Sequence, residues 1–428
     1  MSETILVVDD EENIRHTLRG VLADEGFEVL EAPDGRRALE LLRHAAPRLA
    51  IVDVWMPEMD GIELVERMRN QAPGVPIIVI SGHGTIETAV RVIRLGAFDF
   101  LEKPFPLDAL LSVLGRALGT NAAAAETAAP AAAAAGAAPS LAPARRFPER
   151  TIGRSVLVNG QGLHSGARTG LILQPLPPGS GIVFGSILSG ESVPALVDHI
   201  DSTGYATTLV RGGMVAKTVE HLMATLHGYG VTNLLVKMQA EVPILDGSAL
   251  ELCALLDESG LVDQHATVEE LVIDQRYALG SDDPARKGIA IEPADLFEVH
   301  YVLDYPPPIG RQEYTFRFTD LEAFRREIAP ARTFGFVEEI EQLEQMGLAN
   351  GGRLNNCILV GKEGVVNAPL RFPDEFVRHK ILDIFGDFYL LGRPLRGRVS
   401  ARMTGHSDNA ALLGVLRARF GVPALKGA

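Results

Sequence analysis

The chain has 428 residues, enough for roughly two to four domains, with 46% hydrophobic and 22% charged residues, as in ordinary globular proteins. A formal net charge of −15 leaves no basic footprint for a nucleic acid. Two cysteines, Cys253 and Cys357, are too few for a disulfide framework and form no Cys-x-x-Cys pair. The start, Met1-Ser2-Glu3-Thr4, lacks the basic region of a signal peptide. No apolar run reaches the ~20 residues of a membrane helix. A cytoplasmic location is the expectation.

Residues 1–118 alternate short apolar runs with helix-period segments. ILVVDD, LAIVDV, PIIVIS and FDFLEK suit strands buried on both faces of a parallel sheet. RHTLRGVLADEG and GIELVERMRNQ suit the helices between them, so the alternation predicts a doubly wound α/β domain with a five-stranded parallel sheet. Residues 119–149 are rich in alanine, but Pro130, Gly136, Pro139 and Pro143 interrupt them and almost nothing there could anchor a core. This stretch reads as a semi-flexible linker. From residue 150 onward, strand-like stretches (SVLVNGQGL, GLILQPL, NLLVKMQ) surround a helix at KTVEHLMATLHGYG. A second series follows, with strands near LVIDQRYALG, FEVHYVLDY and LRGRVSARMTG and helices near LEAFRREIA and DEFVRHKILDIFGDFYLLG. The two series predict α+β halves at 150–266 and 267–428.

In the first domain Asp9 and Asp10 end the first strand and Asp53 the third, with Ser81 and Lys103 at the ends of the fourth and fifth. Groups beyond the carboxyl ends of such strands converge on one crevice. Three carboxylates there form a hard-oxygen site suited to Mg²⁺. One of them can attack phosphorus to form an acyl phosphate, whose charge Lys103 and the Ser81 hydroxyl would meet. Paired acids can also be solvated loop residues, but five such groups at matching strand ends favour the pocket. VVDDEENIR, IVDVWMPEMDG, VISGHGTIETAV and GAFDFLEKPF resemble the response-regulator receiver domain in order and spacing, the last two motifs most closely its nitrogen-regulation type. The resemblance implies Asp53 as phosphoacceptor, Asp9, Asp10 and Asp53 around Mg²⁺, and Phe100 as the switch aromatic. It also implies a sensor histidine kinase as partner and a receiver-mediated dimer.

In the second domain Glu220 and His221 are adjacent on one helix, and His379 and Asp383 share one face of another at i, i+4. Two histidines and one carboxylate leave one zinc coordination position open, the catalytic pattern. Glu220 could act as general base, His406 of MTGHSDN as acid or oxyanion partner, and Asp387 could orient His406. Each piece alone is also an ordinary surface or turn arrangement. His164, His199, His227 and His300 stay outside this site.

TVEHLMATLHGYGVTN, EVPILDGSA, PARTFGF, LRFPDEFVRHKILDIFGD, GQGLHSG and TGH together resemble the UDP-3-O-acyl-N-acetylglucosamine deacetylases of lipid A biosynthesis, over essentially all of 150–420. The resemblance implies two β-α-α-β halves with Zn²⁺ between them, held by His221, His379 and Asp383. It makes Glu220 the base and His406 its charged partner, puts Thr333 on the oxyanion, Phe334 against the sugar and Lys380 near substrate phosphate, and makes an acylated UDP-sugar the substrate. Two departures stand out. Met403 occupies a position that is usually basic in the family, and 185–193 reads GSILSGESV without the usual basic stretch. They keep open a module that binds the nucleotide sugar without turnover, or an output protein acting on a related substrate. A DNA-binding regulator has no helix-turn-helix or basic stripe to support it.

Overall fold

The computed structural model describes residues 3–82, 86–103, 107–118, 143–280, 286–345 and 348–425. They fall into two compact units. One holds 3–118 of this set with 335–341 and 353–369, and the other holds 143–334, 342–352 and 370–425.

The N-terminal part alternates β1 (Thr4–Val8), α1 (Glu12–Asp24), β2 (Glu28–Ala32), α2 (Gly35–His44), β3 (Leu49–Asp53), α3 (Gly61–Gln71), β4 (Ile77–Ser81), α4 (Ile86–Arg94), β5 (Asp99–Glu102) and α5 (Leu107–Leu118). The sheet order is β2-β1-β3-β4-β5 and all four pairings are parallel. Every residue of β3 and β4 is buried, which is why their apolar runs are continuous instead of alternating. Asp34 and Asp60 cap α2 and α3 by accepting from the Arg37 and Glu63 N–H groups at 2.8 and 2.7 Å. The strand order reverses between β1 and β3, so their carboxyl ends open the crevice that holds Asp9, Asp10 and Asp53.

The C-terminal part begins with β6 (Arg146–Ile152), inside the stretch read from sequence as linker; most of that linker, 119–142, lies outside the described residues. Arg146 is held in register by Glu269, because β6 pairs antiparallel with β15 (Leu261–Glu269). Between them run β7 (Val156–Gln161), β8 (Arg168–Pro175), β9 (Ile182–Ser186), β10 (Ser192–Pro194), β11 (Ile200–Ser202), β12 (Thr208–Arg211), β13 (Met214–Lys217), α6 (Glu220–Tyr229), β14 (Leu234–Met238) and α7 (Leu250–Ser259). They build a five-stranded sheet, β10-β9-β14-β8-β7, and a three-stranded one, β11-β12-β13. Then come β16 (Leu271–Val272), β17 (Tyr277–Gly280), β18 (Gly288–Glu292), β19 (Phe297–Asp304), β20 (Arg311–Arg317), α8 (Leu321–Glu327), β21 (Phe334–Phe336), α9 (Val337–Gln345), β22 (Ile358–Gly361), β23 (Gly364–Val365), α10 (Glu375–Asp387), β24 (Leu395–Arg402) and α11 (His406–Phe420). The second large sheet has the order β17-β18-β24-β19-β20, with β16 alongside β24, and β21-β22-β23 form a small separate sheet. The architecture is α+β, with two helix-bearing halves as expected.

Two buried helices join these halves. All ten residues of α6 are buried, and eleven of the thirteen in α10. They pack against each other, and Gly386 allows it: a Cβ there would overlap the Glu220 carbonyl oxygen. The pattern DIFGD therefore brings the backbone of α10 onto the first turn of α6, where the polar residues sit. Gly230, at φ 65, closes α6 in the left-handed region, its N–H reaching the Leu226 and His227 carbonyls.

Candidate functional site

The first turn of α6 presents Glu220 and His221, while α10 presents His379, Asp383 and Asp387 four residues apart on one face. The chain enters α6 through Thr218, which is held at φ 57 with its hydroxyl 3.2 Å from the Glu241 carboxylate. All five helix residues are buried. The His221 and His379 Nε2 atoms lie 3.8 and 3.5 Å from Asp383 Oδ1. Their rings meet edge to face at 5.0 Å, and the three candidate ligand atoms lie within 4.8 Å of one another. His379 Nδ1 lies 3.1 Å from the Ala331 carbonyl. A carbonyl only accepts, so Nδ1 carries the proton and the Nε2 lone pair faces the cluster. Burial, then His379, brings His221 down to about 3, and burial likewise lowers His379. Burial alone would raise Asp383, but Lys380 and His379 hold it below the usual carboxylate range. Lys380 Nζ donates to the other oxygen of Asp383, Oδ2, at 2.8 Å. Two neutral imidazoles and one ionised carboxylate, with lone pairs converging, fit a zinc ion with an open position.

Beside this cluster Glu220 Oε1 and His406 Nε2 face each other at 4.0 Å, and His406 Nε2 is 3.9 Å from Asp383 Oδ2. Burial pushes Glu220 up to about 7 against the pull of His406. Burial opposes charge on His406, as does its place at the N-terminus of α11, yet Asp387, Asp383 and Glu220 hold it up at about 9. Its Nδ1–H donates to Asp387 Oδ2 at 2.8 Å. The pair is thus a carboxylate poised near neutrality opposite an imidazolium, suited to proton transfer and to meeting developing negative charge. Thr333 is half-buried, with its N–H on the Gly247 carbonyl at 2.7 Å. Phe334 meets Phe376 at 5.0 Å and His379 at 6.1 Å, edge to face.

The match of residues 149–418 to the family model of UDP-3-O-acyl N-acetylglycosamine deacetylase covers well over half of the chain. The chain belongs to that deacetylase family. The deacetylase unit is 45% identical to the UDP-3-O-acyl-N-acetylglucosamine deacetylase of Myxococcus xanthus (strain DK1622), over 62% of this chain and 85% of that protein. It is 41% identical to the Chlamydia felis (strain Fe/C-56) enzyme of the same name, over 62% of this chain and 95% of that protein. Residues 5–115 match the response regulator receiver domain. The receiver domain of NtrX from Brucella abortus is 49% identical over 27% of this chain and 99% of its own, with a TM-score of 0.27. None of the described helices is long and apolar enough to cross a membrane.

In the receiver, Asp9 and Asp53 are buried and Asp10 is exposed, with candidate ligand atoms again within 4.8 Å of one another. Three convergent carboxylates fit Mg²⁺. Lys103 Nζ lies 2.7 Å from Asp9 and 3.1 Å from Asp53. Burial raises Asp53 while Lys103 lowers it. Gly61 permits the approach of α3, because a Cβ there would overlap the Asp53 carbonyl oxygen. Ser81 and Phe100 are fully buried at the ends of β4 and within β5.

Several residues of the deacetylase unit escaped the sequence reading. Buried Thr207 donates through its hydroxyl to Asp387 Oδ1 at 2.7 Å and through its N–H to Glu220 Oε2 at 3.0 Å. Asn409 donates to Asp387 Oδ2 at 2.8 Å; its i+3 spacing from His406 was a usable signal, whereas a lone threonine ahead of a strand was not. Fully buried Glu375 binds the backbone and guanidinium of Arg332 and the Arg371 N–H, tying the loop of Thr333 and Phe334 to α10. His164 lies in a turn, as expected; burial lowers its pKa, Glu241 opposes this, and Lys217 and His406 add to it. The two departures find local partners. Met403, at φ 51, accepts the Asp304 N–H on sulfur at 3.0 Å, and Ser186 Oγ caps the Leu188 and Ser189 N–H groups at 3.1 and 3.0 Å.

Proposed function

We propose that the deacetylase unit removes the N-acetyl group of a UDP-3-O-(3-hydroxyacyl)-N-acetylglucosamine, giving acetate and the free amine of a lipid A precursor in the cytoplasm. His221, His379 and Asp383 would hold zinc, with Lys380 fixing the second oxygen of Asp383 and offering its remaining charge to the substrate. A metal bound there supplies a Lewis acid that polarises a carbonyl and acidifies water. Glu220 takes the proton of the attacking water. His406, kept positive by Asp387, and the Thr333 hydroxyl meet the oxyanion as it develops. Glu220 or His406 then returns a proton to the departing amine, and Phe334 lies against the sugar. The observation that carries this reading is the pairing of Glu220 with His406 at 4.0 Å on the flank of a buried His/His/Asp cluster. The receiver would take a phosphoryl group on Asp53 from a sensor histidine kinase, with Mg²⁺ at Asp9, Asp10 and Asp53 neutralising charge and with Ser81, Phe100 and Lys103 reading the change.

The test is acetate release from the acylated UDP-sugar by the full-length protein. Turnover that a chelator abolishes and zinc restores is the expected result. Tight binding of the sugar without acetate release from the zinc-loaded protein would overturn it in favour of a sensor, the reading that Met403 and residues 185–193 keep open.

A further inference from the structure

Asp387 is buried with both carboxylate oxygens occupied by three donors, one from the loop before β12 and two from α11. Oδ2 accepts His406 Nδ1–H and Asn409 Nδ2–H, each at 2.8 Å. Oδ1 accepts the Thr207 hydroxyl at 2.7 Å, and the same threonine holds Glu220 Oε2 through its N–H at 3.0 Å. Thr207 and Asn409 are each 1% exposed, so water cannot replace either donor without rearrangement. The Thr207 hydroxyl also lies 3.2 Å from His406 Nδ1. A hydroxyl has one proton, and the shorter contact to a carboxylate takes it; Nδ1–H is then left to Oδ2. Glu220 and His406 come from different helices, and Thr207 touches both halves of the arrangement.

We infer that Thr207, supported by Asn409, is a positioning residue for the Glu220–His406 pair. Its hydroxyl occupies Asp387 Oδ1 and leaves Oδ2 to accept the His406 Nδ1–H, so that the His406 ring presents Nε2 to Glu220 in one orientation. Its N–H holds Glu220 Oε2 at 3.0 Å, leaving Oε1 to face His406 Nε2 at 4.0 Å. Replacing the hydroxyl by a methyl leaves Oδ1 as a buried carboxylate oxygen without a donor, a costly arrangement. The His406 ring loses its fixed orientation as a result. The inference rests on the hydrolytic reading for its kinetic consequence, but not for its structural one.

Thr207→Val is nearly isosteric and keeps the N–H bond to Glu220, while Thr207→Ser restores a hydroxyl. In the zinc-loaded full-length protein, Thr207→Val should lower kcat by roughly 10–100-fold, the usual cost of losing a supporting hydrogen bond. KM and zinc content should stay near wild type, and Thr207→Ser should recover most of the rate. A second readout needs no turnover: the downfield proton resonance of His406 Nδ1–H, assigned by its absence in His406→Ala. It should shift upfield or vanish in Thr207→Val and return in Thr207→Ser. An unchanged resonance in Thr207→Val overturns the inference. So does a kcat loss that Thr207→Ser fails to restore, or one that only follows loss of zinc. If the resonance behaves as expected and the wild type releases no acetate, the hydrolytic reading fails and the positioning role stands.

Discussion

Glu220 neighbours a candidate ligand in sequence but has different work. Its Oε2 is taken by the Thr207 N–H at 3.0 Å and its Oε1 faces His406 at 4.0 Å, a placement that fits the proposed proton transfer. Glu220→Ala should therefore retain zinc and lose turnover by roughly 10²–10⁴-fold, the usual worth of a general base. Paired elemental and rate measurements check it; a near-normal rate would hand the proton to another group. At this scale the candidate ligands could be read from the sequence because helix geometry is simple: residues 379, 383 and 387 repeat at four, and 220 and 221 open a helix. The partners that fix them could not. Thr207 reaches Asp387 across 180 residues and Arg332 reaches Glu375 across 43, and local spacing carries no trace of either.

At the scale of elements, α6 carries the candidate site at its N-terminus and an aromatic stack at its C-terminus. His227 lies between Phe385 and Tyr389, with centroids 4.1 and 4.4 Å away, and its Nδ1 is 2.9 Å from the Phe385 carbonyl. Sequence reading left His227 unremarkable, because an amphipathic pattern cannot be seen in a helix buried on every side. Burial lowers its pKa to about 4, from an ordinary 6.5. The folded ring therefore resists a proton that the unfolded chain accepts. Its contribution to stability is complete above pH 6.5 and is lost as pH falls toward 4, by on the order of 3 kcal/mol across that window. His227→Phe keeps a ring in the stack and removes the titration. Thermal melts from pH 7.5 to 4.5 should fall more steeply for wild type than for the variant; parallel curves would refute the assignment.

Across the whole molecule, two sets of chemistry-bearing residues occupy one chain: the Asp9, Asp10, Asp53 and Lys103 pocket and the His221, His379 and Asp383 cluster. Residues 119–142 between them are rich in alanine and proline, a composition poorly suited to transmitting a rigid rotation. We propose that control by the receiver would run through its own two states, by docking, dimerisation or recruitment of a partner. An acyl-phosphate mimic on wild type should change oligomeric state or deacetylation rate by about 5–150-fold relative to Asp53→Asn, the usual range of allosteric coupling. Identical behaviour in both assays would make the receiver a passenger. The central claim is that the buried His/His/Asp cluster holds the zinc that hydrolysis needs. The most direct measurement is zinc content and acetate release, side by side, for wild type and His379→Ala. The account predicts about one zinc per chain with turnover in wild type, and neither in the variant. Equal zinc in both proteins, or turnover surviving in His379→Ala, would contradict it.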